Sequence, residues 1–277
     1  MDLNSAAKGL IIKEIKCKSL LNKSQLADYC VNPFVGCQHA CKYCYAEYYT
    51  RKYTGHEEPW GSFVDVKINA PEILRREILR KKKGTVFLSS LTDPYQPLEE
   101  KYKLTRKILE LLLRNNFSVC IQTKSALVLR DLDLFKKFKK QCEINFTITT
   151  LDESIRKVFE PFSSSVKEKL RAIKILKANG IEVYAFFGPV LPFLSDRNLE
   201  EYFETMARLR IDEVWVDKLR LKPGVWDRLQ KVLEENYPGL VGKWKKIFFE
   251  KSDYYRKLKK KIKEICERKN LKYVFCY

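Results

Sequence analysis

Three thiols lie on one short stretch of chain, Cys37, Cys41 and Cys44, in the spacing C-x3-C-x2-C, with Tyr43 directly before the last of them. Soft thiolates this close together suit iron–sulfur chemistry and can hold three irons of a 4Fe–4S cluster. The fourth iron would then lack a protein ligand and stand open to a substrate or cofactor. The same spacing admits a structural zinc ion, with His39 or a distant cysteine as the fourth ligand. His39 sits between two of the cysteines, which is awkward for a tetrahedral site. Paired C-x2-C elements would favour zinc, and the sequence holds one such element.

Beyond this loop, polar residues recur where apolar runs end. Residues 31–35, 85–90, 117–123, 143–149, 182–187 and 213–217 read as strands, and helical patterns over 98–115, 131–140, 166–179 and 198–210 separate the later ones. Asn179-Gly180 is a helix stop. Repeated βα units dictate parallel strands with right-handed crossovers. Six of them predict an α/β fold, a partial (βα)6 barrel of the TIM type rather than a closed eight-stranded one. Sites in such barrels gather at the C-terminal strand ends. There the sequence places the cysteine loop after the first strand, and Ser89, Ser90, Thr92 and Asp93 after the second. Lys124 and Ser125 follow the third, Thr149 and Thr150 the fourth, Pro189 the fifth, and Lys218 and Arg220 the sixth. Each alone reads as a turn or a helix cap. Together, in strand order, they supply the hydroxyls, carboxylate and ammonium that a bound nucleoside and amino acid would need.

Hydrophobic residues make up 45% of the 277 residues, enough for one large domain with a substantial core. The longest apolar stretch, 183–194, is interrupted by Gly188, Pro189 and Pro192, so no membrane span is expected. The N-terminus lacks the charged-then-apolar layout of a secretion signal, and a cytoplasmic location is the expectation. Nine cysteines, an odd number without disulfide spacing, read as ligands, redox groups or core residues of a reducing compartment. Cys120 falls in an apolar run and reads as core. Cys17, Cys30, Cys142, Cys266 and Cys276 are scattered, and no local spacing among them supports a second cluster. The net charge of +19 fits a DNA or RNA partner, bound through counterion release. It fits equally a solvated, lysine-rich surface selected for thermal stability.

The cysteine spacing and its preceding aromatic residue resemble the radical S-adenosylmethionine (SAM) superfamily. Further segments resemble the subgroup that includes spore photoproduct lyase: 32–45, 92–97, Thr123-Lys124-Ser125 with Arg130-Asp131, 149–153 with Glu160-Pro161, 188–192 with Ser195-Asp196, Leu219-Arg220-Leu221 and Pro223-Gly224. The resemblance implies an enzyme in which Cys37, Cys41 and Cys44 hold the cluster and the open iron takes the methionine part of SAM. Reductive cleavage would give a 5′-deoxyadenosyl radical for hydrogen abstraction, with electrons from a flavodoxin- or ferredoxin-type donor. It implies further that Tyr43 packs near the adenine. Ser89, Ser90 and Asp93, with Thr92 beside them, would lie near the methionine or ribose. Lys124 and Ser125 would contact the cofactor carboxylate or ribose, Thr149 or Thr150 would donate there, and Pro189 and Arg220 would complete the set. Two departures stand out. The lyase returns a hydrogen atom from a cysteine after the second strand, where this chain reads Ser89-Ser90-Leu91-Thr92. A serine O–H bond is too strong for that, which argues against repair of the spore thymine dimer by the same route. Lys169 stands where relatives often carry arginine.

Residues 1–29 read as an N-terminal extension, 30–222 as the barrel, and 223–277 as a helical region packing on it. Residues 9–15 read as a short edge strand. Residues 243–263 carry ten Lys or Arg interleaved with Trp244, Phe248, Phe249, Tyr254, Tyr255 and Leu258. Such a pattern suits stacking on bases and binding of phosphates. It also suits an amphipathic helix that closes the barrel with its aromatics in the core, and the aromatics are read that way. Three functions remain open: a radical enzyme acting on nucleic acid, a radical enzyme acting on a peptide or small metabolite, and a non-catalytic nucleic-acid-binding protein with a structural metal.

Overall fold

The computed structural model describes residues 9–277; the first part of the expected N-terminal extension lies outside them. In chain order the strands are β1 (Ile11–Ile15), β2 (Asn22–Lys23), β3 (Tyr29–Val31), β4 (Phe34–Val35), β5 (Phe63–Lys67), β6 (Thr85–Leu88), β7 (Ser118–Thr123), β8 (Cys142–Thr147), β9 (Glu182–Val190), β10 (Glu213–Lys218) and β11 (Tyr273–Phe275). Eight of them form one sheet in the order β11-β10-β9-β8-β7-β6-β3-β2, parallel throughout except for the β2 edge. Five of the six expected strands stand in sequence order in this sheet, a partial barrel, and the first is represented by β3. β11, from the C-terminal region, extends it beyond β10.

Three local expectations need correction. Residues 31–35 are not one strand: Pro33 has no N–H to give a ladder, so β3 stays in the barrel and β4 turns away to pair with β5. The segment β5, not foreseen, also pairs in parallel with β1, so residues 11–15 join a second, three-stranded sheet. The helical pattern over 98–115 is two helices, Leu98–Tyr102 and Leu104–Arg114, broken at Lys103 with φ +51°.

The two faces of the barrel sheet differ in kind. Parallel partners point the same way, and successive residues alternate. Ile121, Ile144 and Val183 form one outward row, and Phe146, Ala185 and Val214 the next. All are buried beneath helices whose apolar residues recur at helical spacing, such as Ile108, Leu109, Leu112 and Leu113 on Leu104–Arg114 and Tyr202, Phe203 and Met206 on Leu199–Arg208. Each such side chain contributes about 1.5–3 kcal/mol on burial. The inward rows are polar and aromatic instead: Gln122, Asn145, Tyr184 and Glu213 in one, Thr147, Phe186 and Trp215 in the next. A closed barrel would fill that space with branched apolar side chains; here polar and aromatic side chains stand in their place.

The C-terminal residues form helices Val225–Asn236, Val241–Phe249 and Tyr254–Arg268 before β11. Trp244 is fully buried and donates its indole N–H to the Pro192 carbonyl at 2.9 Å, and the Tyr255 hydroxyl donates to Val190 at 3.1 Å. Leu258, Ile262 and Ile265 bury the inner stripe of the last helix. The aromatics therefore serve largely as core, as read, with Phe249 exposed. Among the described residues, no helix is long and apolar enough to cross a membrane.

Candidate active site

The cysteine loop leaves β4 at Gly36, where φ is +83° and an added Cβ would come within 2.5 Å of the Phe63 carbonyl oxygen. Glycine alone fits both constraints. The Gly36→Ala variant should lose about 1–3 kcal/mol to backbone strain, with the clash in addition. The expected result is a lower Tm and less than full iron loading after reconstitution; unchanged values of both would refute this role.

From Gly36 the loop is clasped on two sides. The Thr92 hydroxyl donates to the Gly36 carbonyl at 2.6 Å, Gln96 Oε1 accepts from the Gln38 amide at 2.9 Å, and Gln38 Oε1 accepts from the Leu98 amide at 2.7 Å. From the other side Arg228, on helix Val225–Asn236, donates to the carbonyls of Lys42 at 2.6 Å and Cys44 at 3.1 Å and pairs with Glu47. Cys37 and Cys41 are buried and Cys44 is half-buried.

The three thiols face a cleft that opens to solvent at the C-terminal ends of the strands. Its lining includes Ser89, Ser90, Thr92, Asp93 and Lys124, so the structure brings these expected residues together with the thiols. His39, Trp60, Gln122 and Thr147 also line it and were not foreseen as cleft residues. Inward strand parity could have found Gln122 and Thr147.

Asp93 organises one wall. Its carboxylate accepts from the Tyr95 amide at 2.9 Å, the Thr123 hydroxyl at 2.7 Å and the Lys124 amide at 2.8 Å, and it lies 3.3 Å from His39 Nδ1. Burial alone would raise its pKa, but His39, then Lys124, hold it at about 2. His39 therefore stands between Asp93 and the cleft, its Nδ1 close to the carboxylate but without a hydrogen bond of good geometry. Lys124 lies with its ammonium 6.0 Å from the Tyr43 ring centre. Burial disfavours its charge, but Cys41, Glu160, Asp93 and Cys44 together push its pKa up, so it remains a cation.

A second buried network lies behind the loop. Glu160, fully buried, accepts from the hydroxyls of Tyr43, Thr149 (2.7 Å) and Ser163 (3.1 Å) and from the Lys169 ammonium at 2.8 Å. Lys169 thereby has a clear task, and Glu160 is the residue the sequence reading left without one. The side chains of Tyr43 and Thr149 are committed to this carboxylate. Thr150 and Ser125 accept backbone amides, from Asp152 at 3.0 Å and Leu127 at 3.2 Å. Pro189 and Arg220 lie outside the cleft lining; Arg220 pairs with Asp217 and donates to the Cys276 carbonyl at 2.8 Å.

The donor set fits a cluster better than a single ion. A tetrahedral zinc site draws its sulfurs to about 3.8 Å from one another, given Zn–S bonds near 2.3 Å. No group of three His, Cys, Asp or Glu side chains among the described residues is placed to hold one ion. The thiols are raised by burial, Cys41 to about 12, with Lys124 countering at Cys41 and Cys44. Binding metal therefore means losing these protons to it. Beside them the Ser89 hydroxyl is buried without a hydrogen-bond partner. A buried, unpaired hydroxyl costs about 1–3 kcal/mol, and a polar ligand in the cleft would relieve that cost.

A family model described as the Radical SAM superfamily matches residues 31–206. An uncharacterized protein of Methanocaldococcus jannaschii is 38% identical over 229 residues, covering 82% of this chain and 84% of its own. A relative named as a radical SAM Nα-GlyT isomerase, from Pseudomonas phage M6, is 23% identical over 206 residues, covering 72% of this chain and 42% of its own. Among solved structures, a spore photoproduct lyase variant with bound AdoMet and dinucleoside spore photoproduct superposes with a TM-score of 0.71 at 15% identity, covering 98% of this chain and 83% of that one.

Proposed function

Because this chain belongs to the radical SAM superfamily, whose cofactors are a 4Fe–4S cluster and SAM, we propose that it takes a hydrogen atom from a base of DNA or RNA. The observation that carries the reading is the three-thiol loop opening onto a cleft at the C-terminal strand ends. When bound, the cofactors supply an electron and a 5′-deoxyadenosyl radical able to break a C–H bond. Cys37, Cys41 and Cys44 hold the cluster as thiolates. Lys124 meets the cofactor carboxylate with its ammonium, and Ser89 offers its unpartnered hydroxyl nearby. Asp93 fixes the backbone of Lys124, while Thr92 fixes the entry to the cysteine loop. Tyr43 and Thr149 act through Glu160, which keeps the wall behind Cys41 and Cys44 rigid. Ser90 lines the cleft, while Ser125 and Thr150 hold the turns after the third and fourth strands through backbone amides. Burial of Cys37 and Cys41 keeps water from the metal.

A nucleic-acid substrate is supported by the +19 charge. It is supported also by the dinucleoside spore photoproduct held in the similar lyase structure. The loop from Ser89 to Thr92 carries no thiol to return a hydrogen atom. That favours modification of a nucleotide over repair of the spore lesion by the lyase route. A cytoplasmic location and a flavodoxin- or ferredoxin-type electron donor belong to the same reading.

The test is anaerobic. Reconstituted protein receives SAM and dithionite, and 5′-deoxyadenosine is measured with and without single-stranded DNA or RNA at low and raised salt. Nucleic acid should stimulate cleavage, and salt should abolish the stimulation while sparing the basal rate. Cleavage indifferent to both nucleic acids at either salt would overturn the substrate class. Tightly bound zinc without a cluster would overturn the enzyme reading.

A further inference from the structure

The wall beneath the cleft has a charge opposite to that of the protein. The chain carries 54 Lys and Arg, yet the inward positions of β7 to β10 hold none. They hold Glu143, Glu182 and Glu213 instead. Each of these accepts one bond from a neutral donor: the Cys120 thiol at 3.2 Å, the Tyr184 hydroxyl at 2.6 Å and the Trp215 indole at 2.6 Å. Among the described residues, none of the three makes a salt bridge. Burial pushes the Glu143 carboxyl above its ordinary range, and Glu182 and Glu213 add to the push. Glu182 is exposed and Glu143 and Glu213 are half-buried, so the three concentrate negative charge at this wall, which would draw a cation or a group rich in N–H donors.

An independent observation lies in the same row. Asn145 stands between Gln122 and Tyr184 in register, two residues before the cleft-lining Thr147. Its side chain is fully buried, and neither its Nδ2 nor its Oδ1 has a partner. A buried amide with both ends free is rare and costly. An amide presents one donor and one acceptor side by side, the pattern that pairs with the edge of a nucleobase. Tyr184 and Trp215, half-buried and 5.5 Å apart, give an aromatic surface next to it.

We propose that this inner wall receives a substrate base bearing an amino group, read by Asn145 and held by Glu143, Glu182 and Glu213, with the phosphates left outside on the basic surface. The proposal rests on the nucleic-acid reading above and narrows it. Phosphate is repelled from the wall, so the base must enter alone, turned out of its strand.

Fluorescence anisotropy on the iron-reconstituted, SAM-loaded protein tests it, with two short single-stranded DNA probes that differ at one central base, thymine or 5-aminomethyluracil. The amine probe should bind about tenfold or more tightly, the effect of one hydrogen bond to a charged group. Glu213→Gln should bring the ratio towards one, Asn145→Leu should weaken both probes and leave the ratio, and Glu72→Gln, on helix Ala70–Glu77, should change neither. Circular dichroism confirms that the variants fold; should Asn145→Leu fail to, the half-exposed Glu213 decides alone. Equal binding of both probes would overturn this proposal and leave the nucleic-acid reading standing. Binding of neither would overturn both. Displacement of the amine probe by a lysine-containing peptide at equal concentration would assign the wall to a peptide and overturn it too.

Discussion

Cys41→Ala should produce a folded protein that neither holds a stable 4Fe–4S cluster nor cleaves SAM. The visible charge-transfer absorption after reconstitution should fall to background, and 5′-deoxyadenosine should drop by at least about 10³-fold, because chemistry carried by a cofactor has no side-chain substitute. Cys41 is chosen because it lies in the middle of the three thiols, 4% exposed, against Tyr43 and with Lys124 opposing its charge. Alanine removes a ligand without adding bulk, and a buried thiol replaced by a methyl group costs little packing. Stability before metal loading should therefore change by less than about 1.5 kcal/mol. A variant that retained both the absorption and the cleavage would refute the ligand assignment.

The second large effect is on stability. In Lys169→Met, Glu160 would remain a fully buried carboxylate without its cation, and breaking such a pair from one side typically costs about 3–5 kcal/mol. Lys169→Arg, which keeps the charge, should cost much less. The pH dependence gives a second signature. Burial alone would raise the Glu160 pKa, but Lys169, then Lys124 and the hydrogen bonds from Lys169 and Tyr43, bring it from an ordinary 4.5 to about 2. A depressed carboxyl stabilises the fold fully above its unfolded pKa and loses that contribution as pH falls through the folded one. The gap between wild type and Lys169→Met should thus be widest near neutrality and close as pH falls to about 2, where Glu160 is protonated in both. Urea denaturation at a series of pH values measures it; a gap constant with pH would rule out the ion pair as its source.

The strand order of the barrel was readable because each strand is a short apolar run followed by a helical period. The three thiols that line the cleft stood out because their spacing is local. What escaped notice was set by partners distant in sequence. Glu160 figures in the sequence only within a segment that resembles the family, until the fold brings Tyr43, 117 positions away, onto its carboxylate. Arg228 reads as a surface cation until its guanidinium reaches the carbonyls of the cysteine loop. Thr149 was expected to give its hydroxyl to a cofactor, and the fold turns it to Glu160. β5 was missed because its pairing partners, β1 and β4, lie outside the βα rhythm. The acidic inner wall was hidden for a related reason. Alternation within one strand shows which residues face inward, but only the lateral register gathers Gln122, Asn145, Tyr184 and Glu213 into one row.

The clasp of Arg228 on the cysteine loop spans 186 positions of sequence, and that separation orders events during synthesis. A ribosome emits the three thiols long before helix Val225–Asn236 exists. Until that helix docks, the carbonyls of Lys42 and Cys44 lack their guanidinium and the loop is held from the Thr92 side alone. The sulfurs reach their final spacing only once that helix has been made and has docked, so cluster delivery belongs after its docking rather than to the moment the thiols emerge.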